Sequence, residues 1–152
     1  MTIKEHIRFA EIRDVHQIIE LCALHAEFEK SDYGKDGKAE RLKTDLFSDE
    51  PNLYCLVVES EDQLIGYATF MKQYSTWETN EYIYMDCLYL KTFARGLGIG
   101  EKLVKRIQEE GKKLGCNLLQ WQTPDFNVKA IAFYKRLGAV SKPKQRFFLK
   151  KP

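Results

Sequence analysis

The stretch Leu88-Tyr89-Leu90-Lys91-Thr92-Phe93-Ala94-Arg95-Gly96-Leu97-Gly98-Ile99-Gly100-Glu101-Lys102 decides the fold. An apolar, aromatic run up to Leu90 has strand character, and glycines spaced by two follow it. Beyond them Ile99, Leu103, Ile107 and Leu114 continue at helical spacing. A strand that enters glycines and leaves as a helix aims several backbone N–H groups at one spot, with the positive end of the helix dipole behind them. Glycine is needed there because an anion must approach the backbone with no Cβ in the way. The segment reads as an anion cradle, and a glycine-rich turn without a ligand is the alternative. Two common cradles fail on spacing. A Walker A loop counted from Gly96 needs glycine where Glu101 stands, and a dinucleotide fingerprint counted from Gly98 and Gly100 needs one where Leu103 stands.

Working outward, His6 to Phe9 alternates as a short strand. Asp14 is placed as an N-cap or first-turn acid for a helix carrying Val15, Ile18, Ile19, Cys22 and Ala26 at helical spacing. A polar loop over Ser31 to Gly37 leads to a second helix from Lys38 to Phe47, which ends before Pro51. Strands are expected over Leu53–Val58, Leu64–Met71 and Tyr82–Leu90, with a hairpin at Glu59–Gln63. After the glycine-loop helix come a strand over Leu118–Gln122 and a helix over Val128–Leu137 closed by Gly138. A last strand is expected over Phe147–Leu149. This order is α/β or α+β with a mixed sheet.

Composition sets the limits. The 152 residues carry 24 Lys+Arg against 22 Asp+Glu, a net charge of +2, with 44% apolar residues. That is one ordinary domain over 1–152, and no strong field advertises a nucleic-acid or membrane partner. No run is long and apolar enough to span a membrane, and the amino terminus lacks a signal-peptide core, so a cytoplasmic location is expected. Cys22, Cys55, Cys87 and Cys116 form no CxxC pair, and His6, His16 and His25 share no ligand spacing, so no metal is expected. His25 lies one helical turn from Glu29 and reads first as a surface histidine.

The pattern R-x-x-G-x-G from Arg95 to Gly100 resembles the coenzyme A pyrophosphate loop of the GNAT N-acetyltransferases. Further on, Asn127-Val128-Lys129-Ala130-Ile131-Ala132-Phe133-Tyr134-Lys135-Arg136-Leu137-Gly138-Ala139 is similar to the helix that closes the acyl-CoA site in that family. The resemblance implies a mixed, mostly antiparallel central sheet flanked by about four helices. It implies acetyl-CoA as co-substrate, held by Leu88, Tyr89, Leu90, Arg95, Gly96, Leu97, Gly98, Ile99, Gly100, Glu101, Asn127, Lys129, Ala130 and Tyr134. Of the basic residues, Lys102, Lys105 and Lys129 are all open to the ribose phosphate. Ile7-Arg8-Phe9-Ala10, Phe28-Glu29 and Tyr84-Met85-Asp86 resemble the diamine (spermidine/spermine and thialysine) subgroup, which implies a small primary amine as acceptor and a homodimer.

Acetyl transfer to an amine needs a neutral amine, a donor to the developing oxyanion and a proton for the leaving thiolate. An alkyl ammonium with a pKa of about 10.4 is less than about 0.1% neutral at pH 7, so the site must favour deprotonation, which a carboxylate can do. Asp86 is the candidate, standing where the subgroup carries a glutamate and working directly or through water. Backbone N–H groups of Leu88 to Leu90 are the oxyanion donors, and Tyr134 the general acid. Phe28, Glu29 and Asp86 form the acceptor side, with Glu27, Asp32, Glu78 and Glu81 as further acids and Trp77 as a wall or core cover. A Cys87-acyl intermediate is disfavoured because alternation turns Asp86 and Cys87 to opposite faces. Protein amino termini, amino acids, antibiotic amines and a silent acyl-CoA-binding domain are the rival readings.

Overall fold

Among the described residues five strands form a single sheet, and their order across it is also their order along the chain. The computed structural model describes residues 2–151. The elements are β1 (His6–Phe9), a 3-10 turn (Ile12–Asp14), α1 (Val15–Phe28), α2 (Lys38–Leu46), β2 (Tyr54–Ser60), β3 (Gln63–Ser75), β4 (Asn80–Leu90), a second 3-10 turn (Thr92–Ala94), α3 (Ile99–Lys113), β5 (Leu119–Trp121) and α4 (Val128–Arg136). All neighbouring strands are antiparallel except β4 and β5, which are parallel. The sheet is thus mixed and mostly antiparallel, as expected, and belongs to a compact unit that ends at Gln122. A second unit begins at Thr123 and contains α4. Among the described residues no helix is long and apolar enough to cross a membrane.

The sheet has two buried faces because period-two alternation sends successive apolar residues to opposite sides. Cys55, Val57, Tyr67 and Tyr89 pack with Ile18, Leu21 and Leu46 from α1 and α2. On the other face α3 comes very close to β4: a Cβ at Gly111 would stand 2.8 Å from Ile83 Cγ1, so the helix sits where only glycine fits. Leu103 and Ile107 on the same helix are fully buried.

One irregularity matters for function. Thr69 pairs with Cys87, yet Phe70 pairs with Met85, so Asp86 is an extra residue in β4 and forms a β-bulge. A bulge breaks alternation. The expectation that Asp86 and Cys87 point to opposite faces therefore fails: Cys87 Sγ lies 3.7 Å from Asp86 Oδ2.

Asp14 precedes α1 but its side chain does not cap that helix. It instead accepts from the Glu11 backbone N–H at 2.7 Å and from Arg8 at 2.6 and 3.0 Å, with Glu11 and Asp14 forming a reciprocal capping box on the 3-10 turn. In the second unit, the strand expected over Phe147–Leu149 is absent: these residues have no regular structure and are 85%, 71% and 102% exposed. Aromatic β-propensity describes fit to a pleated, half-buried surface, and without such a surface it does not make a strand.

Candidate active site

The cradle forms as its glycines require. Gly96 and Gly98 have φ of +75° and +83°, a left-handed conformation that costs an L-residue roughly 1–2 kcal/mol. Nothing lies within 4 Å of a Cβ built on either, so conformation and not crowding selects glycine there. Lys102 N–H is the first of α3 to find its carbonyl, donating to Gly98 at 3.2 Å. The N–H groups of Ile99, Gly100 and Glu101 precede it and have no intrahelical acceptor, which leaves them for an anion at the positive end of the helix. Ile99 itself is buried and anchors the turn. Gly98→Ala is expected to weaken acetyl-CoA affinity roughly tenfold through the backbone alone; calorimetric titration of both proteins checks it.

Arg95 is engaged by the protein. Its Nε donates to Leu90 O at 2.9 Å, and its guanidinium lies 4.6 Å from the centroid of Phe28 and 5.4 Å from that of Tyr89. The side chain thus ties the exit of β4 to the end of α1. Of the lysines proposed for the ribose phosphate, Lys102 pairs with Glu5, and Lys105 pairs with Glu101 at 3.2 Å.

Beside the cradle, β4 has an open edge. The parallel ladder with β5 covers only Ile83 to Met85. Lys91 N–H donates to Ile65 O on the β3 side, so alternation turns the N–H groups of Leu88 and Leu90 away from β3. Leu90 O, accepting from Arg95, points the same way. The backbone donors expected at Leu88 to Leu90 are therefore Leu88 and Leu90; Tyr89 faces β3.

Asp86 is exposed and borders an open hollow of ≈ 430 Å³ with Asp45, Ser48, Asn52, Leu53 and Met71. Asp45 was not singled out by sequence, because nothing local connects α2 with β4. Thr69 Oγ1, across the bulge, is buried beside the Cys87 thiol. Burial, with Asp86 adding to it, pushes the Cys87 thiol up to about 12. Cys87 is thus a poor nucleophile for that reason, although the bulge removes the argument from alternation.

At the other end of the face, Glu29 Oε2 meets His25 Nε2 at 2.8 Å, and His25 Nδ1 meets the Tyr67 hydroxyl at 2.8 Å. His25 is no surface histidine: its side chain is 14% exposed and its ring stacks on Tyr89 at 5.2 Å. The helical spacing to Glu29 was visible in the sequence; the contact with Tyr67 depends on strand register. Phe28 lies edge-on to Tyr89 at 6.3 Å. Glu78 and Glu81 do not join this group. Glu81 pairs with Lys72 at the hairpin end of β4, and about 3.3 Å per residue separates it from Tyr89 by roughly 25 Å. Trp77, at the same hairpin, is 96% exposed and covers neither pocket nor core.

In the second unit, Asn127 caps α4 as expected, its Oδ1 accepting from Ala130 N–H at 3.4 Å. Lys129 and Tyr134 lie on that helix, with the Phe133 and Tyr134 rings 5.2 Å apart. Gly138 follows with φ of +94°, the expected left-handed stop.

A model of the acetyltransferase (GNAT) family matches residues 14–139. The chain is 37% identical over 142 residues to the thialysine N-epsilon-acetyltransferase of Sus scrofa, covering 88% of this chain and 82% of that one. The Mus musculus enzyme of the same name is 35% identical over 141 residues, with the same shares covered. Among solved structures, the aminoglycoside N-acetyltransferase AAC(6')-Iy in complex with CoA is similar in fold, with a TM-score of 0.82 at 15% identity over 100% of this chain and 98% of that one. The chain belongs to the GNAT family and is an acetyl-CoA-dependent N-acetyltransferase.

Proposed function

We propose that the chain acetylates a primary amine of a small molecule, of the diamine, polyamine or thialysine-like class, by direct attack in a ternary complex. The observation that carries this reading is Asp86, an exposed carboxylate on a β-bulge, bordering a hollow shared with the carboxylate of Asp45 and lying next to the open edge of β4. The thialysine N-epsilon-acetyltransferases among its relatives support the same acceptor class.

Each residue has a task. Asp86 takes the ammonium proton, directly or through one water, so that the amine attacks with its lone pair. The N–H groups of Leu88 and Leu90 stabilise charge developing on the thioester oxygen. The cradle from Arg95 to Glu101 holds the coenzyme's pyrophosphate through backbone N–H groups, with Asn127, Lys129 and Ala130 completing coenzyme binding on the family resemblance. Tyr134 hydrogen-bonds or protonates the leaving thiolate. Phe28 and Glu29 hold the acceptor's far end. Cys87, standing beside Asp86 where the subgroup carries a second acid, leaves the site less suited to a long dication than to a short diamine or thialysine.

The test is coenzyme A release from acetyl-CoA against thialysine, lysine, spermidine, putrescine, an aminoglycoside and a short peptide. Turnover is expected on a short diamine or thialysine. Tyr134→Phe is expected to lower kcat about 10²-fold or more with acetyl-CoA binding retained. Tight acetyl-CoA binding with no release for any small amine sinks the acceptor assignment.

A further inference from the structure

We propose that His25 is a positioning residue for the acceptor: its imidazolium form competes with a second ammonium of the acceptor for the carboxylate of Glu29. This rests on the amine-acceptor reading above. The geometry determines what each atom does. Glu29 only accepts, so Nε2 of His25, 2.8 Å from Oε2, carries a hydrogen in both charge states of the ring. In the neutral ring Nδ1 is then an acceptor, and the Tyr67 hydroxyl donates to it across 2.8 Å. When the ring is protonated, Nδ1 donates instead, the Tyr67 oxygen accepts, and the phenol hydrogen turns to the thiols of Cys22 and Cys87, its other partners. Neither state leaves a polar atom of this set unpaired. The two states keep the same contact between the rings with its hydrogen-bond direction reversed, and differ by one positive charge.

That charge falls on Glu29. Its side chain is 32% exposed, and Oε1 has no hydrogen-bond or ion-pair partner among the described residues, so a solute cation can reach it. With His25 neutral the carboxylate offers its full negative charge; with His25 protonated the pair is already neutral. Besides Glu29, charged groups near the set are Asp86, beside Cys87, and Lys38, over the ring of Tyr33 next to Cys22. Glu29 and Cys22 come from α1, Tyr67 from β3, and Tyr89 and Cys87 from β4. Arg95 stands beyond the stacked Tyr89 ring, 5.4 Å from its centroid. Burial keeps Tyr67, Cys22 and Cys87 uncharged. The imidazolium is the form that a rise in pH removes, so the competition fades as pH rises.

The experiment compares 1,4-diaminobutane with n-butylamine, which lacks the second ammonium, in wild type and His25→Gln from pH 6 to 8. Coenzyme A release gives kcat and KM. For wild type, the KM for the diamine is expected to fall roughly tenfold more across this range than the KM for the monoamine. In His25→Gln that excess disappears, while kcat for the monoamine stays within about twofold. A second readout needs no turnover. Linkage is reciprocal, so saturating diamine, added to the coenzyme A-bound protein, must lower the pH at which the His25 ring titrates in NMR spectra. The His25→Gln spectrum assigns that signal against His6 and His16. Equal pH profiles for the two amines, or a His25 titration that the diamine does not move, overturns the proposal. Loss of turnover for every amine with the titration still moved by diamine overturns the acetyl-transfer assignment and leaves this one standing.

Discussion

Asp86→Asn is expected to lower kcat/KM for the amine about 10²- to 10³-fold at pH 7 while leaving acetyl-CoA affinity unchanged. The asparagine keeps size and polarity but cannot take the ammonium proton. Asp86 is the exposed extra residue of the β4 bulge, so the substitution removes no core contact and should fold. The variant then depends on amine that is already neutral. Its rate should climb about tenfold per pH unit toward the amine's own pKa near 10, whereas the wild type levels off earlier. Coenzyme A release measured from pH 6.5 to 9.5 decides the matter. Parallel profiles for the two proteins would remove Asp86 from the proton path and turn attention to Asp45, which borders the same hollow.

The second large effect is on stability. Arg8 donates to both oxygens of Asp14 at 2.6 and 3.0 Å and to Glu59 at 3.3 Å, with Asp14 only 2% exposed. Burial alone would raise the Asp14 carboxyl. Arg8 and the Glu11 N–H outweigh it and hold the group below the ordinary carboxylate value. Asp14→Asn breaks the pair and leaves a mostly buried guanidinium undercompensated, which is expected to cost about 3 kcal/mol at pH 7. For a chain of this size that lowers the melting temperature by roughly 6–12 °C. The sign with pH follows from the depressed value. The stabilisation is complete above the unfolded carboxyl's pKa, about 3.9, and is lost as pH falls through the lower folded one. Melting curves of the two proteins should therefore differ widely at pH 7 and converge toward pH 2.

The glycine loop and its flanking strand and helix are legible in the sequence because their signals are local. Gly96 and Gly98 mark left-handed positions, and Leu103 and Ile107 mark the buried stripe of α3. The end of α4 is legible for the same reason, since Asn127 and Gly138 are caps of known type. What fails is what depends on a distant partner. The bulge at Asp86 is fixed by how β4 registers with β3, so alternation counted along β4 alone misplaces Cys87. Glu29 is one turn from His25 and could be read, but Tyr67 is 42 residues away and could not. Glu78 and Glu81 look close to the acceptor in one dimension and lie at the far end of an extended strand. Phe147 to Leu149 carry strand-like side chains without a sheet to receive them.

The three-residue ladder between β4 and β5 has a bearing on how this site would be discovered experimentally. Leu88 and Leu90 present main-chain amides at the open edge, and every amino acid except proline supplies the same amide. Alanine scanning would therefore report these two positions as dispensable, or would report only the packing of their side chains. Replacing the amide by an ester, or inserting proline, is the kind of chemical edit that would expose their contribution.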